Sequence, residues 1–387
     1  MSRPAIIVAG GGTGGHVFAG LAVARALADL ADVEVVFAGS PRGLEAKVVP
    51  DSGFALELLD VAPMKGGGLG RALKGGVVAL RATNSARALV RRVSPRAVLS
   101  VGGYAAGPVS LAAALAGVPL AVLEPNAVLG FANRLLAPFA SRAYVAWDEI
   151  GARFRKGAAR RLGVPLRAGF EGREYVQNAS KRVLVLGGSQ GAQALNERVP
   201  EALGMIASRI PGLEVVHQVG KSREAAVVEA YARAGIESAR VIEFVDDVPG
   251  ALGDADLVVS RAGALTVAEI AAVGRPALLV PFPHAADDHQ AKNALALAEA
   301  GGAVCLRQEH ASIVRLASEL ESLLGDGARL ASMAAASRAA GRPRAARDIA
   351  KDLLALARVR ADRAEAPEPE GAGSAPGDME VSCSAVG

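Results

Sequence analysis

Short apolar runs alternate along this chain with longer segments whose apolar residues recur every three to four positions. The short runs predict strands at 5–9, 33–38, 54–59, 97–101, 120–123 and 142–146, and again at 182–186, 213–218, 240–244, 256–259, 277–280 and 303–306. The longer ones predict helices at 16–29, 43–50, 77–92, 106–116 and 128–137, then at 191–209, 222–234, 264–273, 287–300 and 312–324. Strands alternating with helices in this way imply doubly wound parallel sheets, one in each half. The stretch 155–181, with Pro165, several glycines and many charges, reads as the connection between the halves. A final helix over 345–358 follows Pro343 and has no strand after it. From 361 onward Pro, Glu, Gly and Ser dominate, a composition that predicts a disordered tail.

One segment interrupts this simple reading. No charged residue occurs from 97 to 123, a length that could in principle cross a bilayer. Gly102, Gly103, Gly107, Pro108, Gly117 and Pro119 punctuate it, so it reads as strand, glycine loop, Ala-rich helix and strand. Central parallel strands are apolar on both faces and need no lipid. The whole chain has 387 residues, enough for two or three domains at ~150 residues each. Its net charge of +4 is too small to mark the whole chain as a nucleic-acid binder. Two cysteines, Cys305 and Cys383, form neither a CxxC pair nor a metal-ligand spacing, which fits a reducing compartment. The first residues run directly into a strand and a glycine loop, without a signal-peptide pattern.

Two glycine loops close strands about half a chain apart. The first is Gly10-Gly11-Gly12-Thr13-Gly14-Gly15-His16; the second is Gly187-Gly188-Ser189-Gln190-Gly191. A glycine turn between strand and helix lets a phosphate approach the backbone at the positive end of the helix. Gly10, Gly12 and Gly15 match a dinucleotide fingerprint, but that motif wants an acidic residue at the end of the second strand. Here the second strand ends in Gly39-Ser40, which argues against a dehydrogenase. Gly220-Lys221-Ser222 lacks the upstream glycine of a Walker A loop, because Val215 stands there.

Several polar residues follow strands or open helices. His16 falls in the first turn of a helix, where the dipole favours neutral imidazole, the form that serves as a general base. A loop-bracing histidine fits the same position. Arg261-Ala262-Gly263 leads from a strand into a helix that carries Glu269. That carboxylate suits the vicinal hydroxyls of a ribose, and also suits a plain helix-start charge. Pro281-Phe282-Pro283-His284-Ala285-Ala286-Asp287-Asp288-His289-Gln290 matches no zinc spacing and reads better as a polar loop for a sugar. Asp246-Asp247 reads as a helix cap rather than a metal pair.

Taken together, Gly11-Gly12-Thr13-Gly14-Gly15-His16-Val17-Phe18, Val101-Gly102-Gly103-Tyr104, Gly187-Gly188-Ser189-Gln190-Gly191-Ala192, Gly263-Ala264-Leu265-Thr266, Asp287-Asp288-His289-Gln290 and Asn293 occur in order. On these residues the chain, over roughly 4–358, resembles the bacterial peptidoglycan N-acetylglucosaminyltransferases, GT-B enzymes of glycosyltransferase family 28. The resemblance implies an α/β fold of two Rossmann-like domains: 1–163 for the acceptor and membrane side, 164–342 for the UDP-GlcNAc donor. A helix within 343–360 would pack back on the first domain, ahead of the tail 361–387.

The implied reaction inverts the anomeric centre, moving GlcNAc from UDP-GlcNAc to undecaprenyl-pyrophosphoryl-MurNAc-pentapeptide (lipid I) to give lipid II. His16 would be the base, with Glu124 its rival. The donor would meet Thr13, Gly14, Gly15, Asn126, Arg167, Ser189, Gln190, Val245, Ala264, Leu265, Thr266, Glu269 and Gln290. Arg261 would also line the nucleotide pocket, His289 would help read the sugar, and Tyr104 would face the acceptor. No metal or other cofactor is required on this reading, and nucleic acid is not a partner. The enzyme would sit peripherally on the cytoplasmic face of the plasma (inner) membrane, with other cell-wall synthesis proteins as candidate partners. The basic stretch 64–92 would touch anionic lipid: Lys65, Arg71, Lys74, Arg81, Arg87, Arg91 and Arg92 interleave there with Leu69, Leu73, Val77 and Leu80. The chain departs from the family pattern at Ala19, Leu123, Pro125 and Val164. Competing classes are a UDP-sugar transferase for another lipid, a UDP-GlcNAc epimerase of related fold, and a nucleotide-sugar binding module.

Overall fold

The computed structural model describes residues 3–12, 14–61, 82–103, 105–177, 180–188 and 191–363. The first half runs β1 (Ala5–Gly10), α1 (Gly14–Leu30), β2 (Glu34–Gly39), α2 (Glu45–Asp51), β3 (Ala55–Leu58), α3 (82–93), β4 (Ala97–Gly102), α4 (Ala106–Leu115), β5 (Leu120–Glu124), α5 (Phe131–Leu136), β6 (Arg142–Val145), α6 (Asp148–Gly151) and β7 (Ala159–Arg161). The second runs β8 (Lys181–Leu186), α7 (Gln193–Gly204), β9 (Leu213–Gln218), α8 (Glu224–Arg233), β10 (Arg240–Ile242), α9 (Val248–Asp254), β11 (Leu257–Ser260), α10 (Ala264–Val273), β12 (Ala277–Leu279), α11 (His289–Glu299), β13 (Ala303–Cys305), α12 (Ile313–Leu324), α13 (Gly327–Ala340) and α14 (Ala345–Leu356).

Among the described residues the first sheet has seven strands in the order β3-β2-β1-β4-β5-β6-β7, and the second has six in the order β10-β9-β8-β11-β12-β13. The pairings are parallel. In each sheet the winding direction reverses once, between β1 and β4 and between β8 and β11. Loops at the carboxyl ends of those strands diverge and leave a crevice, the usual binding position in open α/β sheets. Both glycine loops fall there. β1 and β4 are buried along their whole length because helices cover both faces, which is why 97–102 is so apolar. Among the described residues no helix is long and apolar enough to cross a membrane.

Four elements differ from the sequence expectation, the first being α6, whose four residues are too few to show a helical period. β7 lies inside the stretch read as a linker; Ala-Arg-Arg carries no apolar alternation, and only its pairing with β6 makes it a strand. The connection without helix or strand therefore starts at 162. α13 was not expected: its Ala-rich sequence spreads small residues around the helix and leaves no clear apolar stripe. The helix expected over 191–209 ends at Gly204, followed by a short 3-10 turn (Ala207–Arg209). The part of the expected 77–92 helix before 82, and all but the first three residues of the expected tail, lie outside the described residues.

The chain ends its described course on the domain where it began. Ile349, Ala350, Leu353 and Leu354 of α14 join the cluster formed by Leu21, Ala24 and Leu27 of α1. The Tyr144 hydroxyl donates to Asp352 at 2.8 Å, and Arg142 pairs with the same carboxylate at 3.2 Å. On the other side of the linker, buried Arg275 donates to the carbonyls of Leu252, Arg173 and Glu174 and lies over the Tyr175 ring. It fastens the incoming linker to α9, whose Asp247 caps the Gly250 N–H as expected.

The second domain also carries a buried polar triad. His217 Nδ1 lies 3.0 Å from the Tyr231 hydroxyl and Nε2 lies 3.2 Å from Asn196 Oδ1, while Asn196 donates to Val219 O. Burial pushes the His217 imidazole down to about 3 from 6.5. The folded state therefore resists protonation that the unfolded chain accepts. Its contribution is complete above the unfolded value and is lost as the pH falls towards the folded one. Between pH 7 and pH 5 urea unfolding is expected to report a loss of about 2 kcal/mol from this site, one and a half pH units below the unfolded value at 1.36 kcal/mol each. A His217→Gln variant is expected to be less stable at pH 7 but to show that much less pH dependence; an unchanged slope would refute the assignment.

Candidate active site

The floor of the cleft in the first domain is backbone against backbone. Gly10, Gly11 and Gly12 have φ of 141°, 154° and 91°, which side-chain-bearing residues rarely adopt. The Gly11 N–H donates to Gly102 O, and a Cβ on Gly103 would overlap the carbonyl of Gly11. The His16 ring lies against this floor: a Cβ on Gly102 would sit 3.0 Å from its Nε2. The glycines of the first and second motifs are thus one interlocked surface built to admit an imidazole. Burial lowers the pKa of His16, His289 lowers it further, and Glu45 opposes them. His16 is therefore neutral near pH 7, the state a base requires.

Glu124 has a different occupation from the one weighed in sequence. It is 2% exposed, and its carboxylate accepts from the N–H groups of Asn126 and Gly130 and from the amides of Asn126 and Asn133. Burial raises its pKa and these four donors pull it back. With both oxygens engaged, it braces the loop between β5 and α5 rather than facing a substrate hydroxyl. Asn126 is drawn into the same brace.

Asn293 was part of the sequence pattern without a role. Fully buried on α11, it accepts from the Ala127 N–H at 2.7 Å and donates to Asn126 Oδ1 and to Ala262 O. One side chain thereby ties the loop between β5 and α5 to the turn before α10. Arg134 on α5 adds a longer, exposed ion pair to Asp287 at 3.8 Å.

On the opposite wall α10 starts at Gly263, which holds an extended conformation and offers no side-chain cap. The first-turn amides of Ala264, Leu265 and Thr266 lack intrahelical acceptors and can receive an anion. Gly187 and Gly191 shape the turn between β8 and α7; a Cβ on Gly191 would overlap Val219 O, which the His217 triad holds. Gln290 accepts from the Ala262 and Phe282 N–H groups through Oε1, which leaves its amide NH₂ for a ligand. Glu269 is pushed up to about 7 by burial, against the pull of Arg167. Arg167 is exposed over the Phe170 ring, 5.7 Å from its centroid. Val245 follows exposed Phe244 at the edge of this wall.

Arg261 does not offer its guanidinium to the pocket: it donates to Val280 O, Pro281 O and Gln308 and stacks on Phe282, so it supports the next loop. In that loop Asp287 and Asp288 both have φ above 50°, with Asp288 held by Arg307 at 2.7 Å. His289 Nδ1 lies 2.8 Å from Ala286 O. Thr13, Tyr104, Ser189 and Gln190 lie outside the described residues, as does 64–81 of the basic segment. Among the described residues no group of three or more His, Cys, Asp or Glu side chains is arranged to hold a metal.

Comparison with known proteins matches the glycosyltransferase family 28 N-terminal domain over residues 6–145 and the family 28 C-terminal domain over 182–353. The chain belongs to glycosyltransferase family 28. Family 28 relatives include the UDP-N-acetylglucosamine--N-acetylmuramyl-(pentapeptide) pyrophosphoryl-undecaprenol N-acetylglucosamine transferase of Sorangium cellulosum, 50% identical over 93% of this chain and 90% of that protein. The protein of the same name from Halorhodospira halophila is 45% identical over 90% of this chain and 98% of the relative. The crystal structure of Acinetobacter baumannii MurG superposes with a TM-score of 0.78 at 33% identity, covering 91% of this chain and 99% of that one. The two facing parallel-sheet domains are the GT-B arrangement. A UDP-N-acetylglucosamine 2-epimerase shares the fold alone, at a TM-score of 0.62 and 16% identity.

In this family 28 protein the Asn293 clasp carries a direct expectation. Asn293→Ala leaves the Ala127 N–H and Ala262 O without their partner, a cost of about 1–3 kcal/mol per buried group. The variant is expected to unfold at lower temperature and to give a larger radius of gyration in small-angle scattering. Unchanged values in both would show that the clasp does not hold the domains together.

Proposed function

We propose that the protein transfers GlcNAc from UDP-GlcNAc to the 4-hydroxyl of the MurNAc unit of lipid I, with inversion, forming lipid II. The observation that carries this reading is the placement of a neutral, half-buried His16 on the cleft floor opposite the uncapped start of α10. The names of the relatives supply the substrate class. His16 takes the proton of the acceptor hydroxyl as its oxygen attacks the anomeric carbon. The bond from that carbon to the β-phosphate oxygen breaks, and UDP leaves with the electron pair. Amides at Ala264–Thr266 and in the turn from Gly187 to Gly191 face the growing negative charge. Glu269 accepts from the ribose hydroxyls, Gln290 reads the sugar, and Arg167 approaches the donor from the linker. Ser189, Gln190 and Thr13 complete the donor contacts, with Val245 beside the base. Because backbone amides supply the charge stabilisation, transfer proceeds without a divalent cation or other cofactor.

The acceptor's lipid places the enzyme peripherally on the cytoplasmic face of the plasma membrane. Support comes from α4 and α5, which pack side by side and expose Leu111, Leu115, Phe131 and Leu135, with Phe139 exposed on the short turn after α5. Phe131 is 62% exposed and directly follows Gly130, whose N–H binds Glu124. The apolar patch therefore begins where the acceptor loop ends, with Arg134 beside it. The basic segment 64–92 extends the same domain; its described portion carries Arg87, Arg91 and Arg92, the last paired with Glu57 at 2.8 Å.

Labelled UDP-GlcNAc with a soluble lipid I analogue tests the reaction. Wild type is expected to transfer equally with and without EDTA, and His16→Ala to lose at least ~100-fold in kcat. No transfer by wild type would refute the function, and unimpaired transfer by His16→Ala would refute the base. Glu269 binds hydroxyls best when ionised, so KM for UDP-GlcNAc is expected to fall as pH rises through 7. Glu269→Gln should raise KM and flatten that trend. Phe131→Ser with Leu135→Ser is expected to reduce pelleting with vesicles containing anionic phospholipid while leaving transfer to the soluble analogue intact; equal pelleting would exclude this face from membrane contact.

A further inference from the structure

Glu45 opens α2 with only 1% of its surface exposed. Burying a carboxylate is unfavourable unless its oxygens are hydrogen-bonded. Here Oε2 accepts from the Gly12 N–H at 2.8 Å and Oε1 from the Ser40 N–H at 2.9 Å. A Cβ on Gly11, Gly39 or Gly43 would overlap this side chain. Gly11 of the first loop and Gly39 and Gly43 of the β2–α2 connection thus leave one hole, and the hole holds a carboxylate directly behind the turn that presents His16. Behind the donor-domain turn, among the described residues, a neutral triad of His217, Tyr231 and Asn196 performs the bracing instead of an acid.

We propose that Glu45 is a positioning residue for the transfer reaction: its carboxylate locks the Gly10–Gly12 turn and supplies the fixed negative charge against which His16 takes up the acceptor's proton. This inference rests on the assignment of His16 as the base. The groups acting electrostatically on the imidazole among the described residues come from both domains. His289 on α11 disfavours the protonated ring, and Glu45 on α2 favours it. Gly102, against which the ring lies, brings no charge. A base that is neutral at rest must still hold a proton in the transition state, and burial alone would make it too weak to do so. Glu45 offsets part of that penalty without touching substrate. The fingerprint acid of dinucleotide folds stands at the end of the second strand; here an acid six residues beyond the end of β2 turns inward to the loop instead of outward to a ribose.

The test compares Glu45→Gln with wild type at saturating UDP-GlcNAc. Loss of the charge lowers the imidazole's affinity for a proton. The acid limb of kcat/KM for the acceptor analogue is therefore expected to move down by about 0.5–1 pH unit, and kcat to fall about 10-fold, with KM for UDP-GlcNAc unchanged. The same shift is expected in an NMR titration of the His16 ring, which is resolvable because the chain has five histidines. Gly43→Ala, which keeps the acid but displaces it from its hole, is expected to shift the limb in the same direction and serves if Glu45→Gln does not fold. A loss of kcat with the limb and the His16 titration in their wild-type places would overturn the proposal and leave Glu45 a structural acid. Unimpaired transfer by His16→Ala would instead remove the base on which it rests.

Discussion

Everything at the cleft depends on how closely two strand ends can approach when neither carries a side chain. β1 and β4 end side by side at the point where the winding of the sheet reverses. Their following loops would normally be held apart by Cβ atoms. With Gly10, Gly11, Gly102 and Gly103 the backbones touch, and the space that side chains would occupy passes to the His16 ring on one side and the Glu45 carboxylate on the other. Backbone in this conformation is accessible mainly to glycine, so the turn is costly to form and rigid once formed. That rigidity suits a base, whose rate contribution depends on holding one atom in one place.

The two halves solve the same packing problem with opposite electrostatics. Both put a glycine turn at a topological switch point and start a helix from it. In the first half a buried acid lies behind the turn and the cavity in front is lined by imidazole, an arrangement suited to accepting a proton. In the second half the bracing triad is neutral, and uncapped amides point into the cleft, an arrangement suited to a leaving phosphate. A duplicated fold has thus been divided into a basic and an electrophilic wall, which a displacement reaction between them requires.

Much of this was legible in the sequence because strand, glycine turn and helix are local events. The helix from Ala264 to Val273 has the expected bounds, and most strands fall within a residue or two of the apolar runs that predicted them. What escaped was decided by tertiary partners. β7 is a strand only because β6 offers it an edge. The resemblance offered Glu124 as a rival base, but four donors from the following loop and α5 engage both of its oxygens. It offered Arg261 as lining the nucleotide pocket, yet the guanidinium donates to two carbonyls of the loop after β12 and to Gln308. Glu45 drew no attention, since an acid in a helix first turn is ordinary until Gly11, Gly39 and Gly43 are seen to surround it.

The contacts between domains bear on how such a site can work at all. The acceptor wall and the donor wall are joined near the reacting centre by Asn293, a fully buried amide whose partners belong to both sides. An apolar contact there would be indifferent to small shifts, whereas an amide loses its hydrogen bonds within about 1 Å of displacement. The clasp therefore fixes the distance between His16 and the first turn of α10 and not merely the fact of contact.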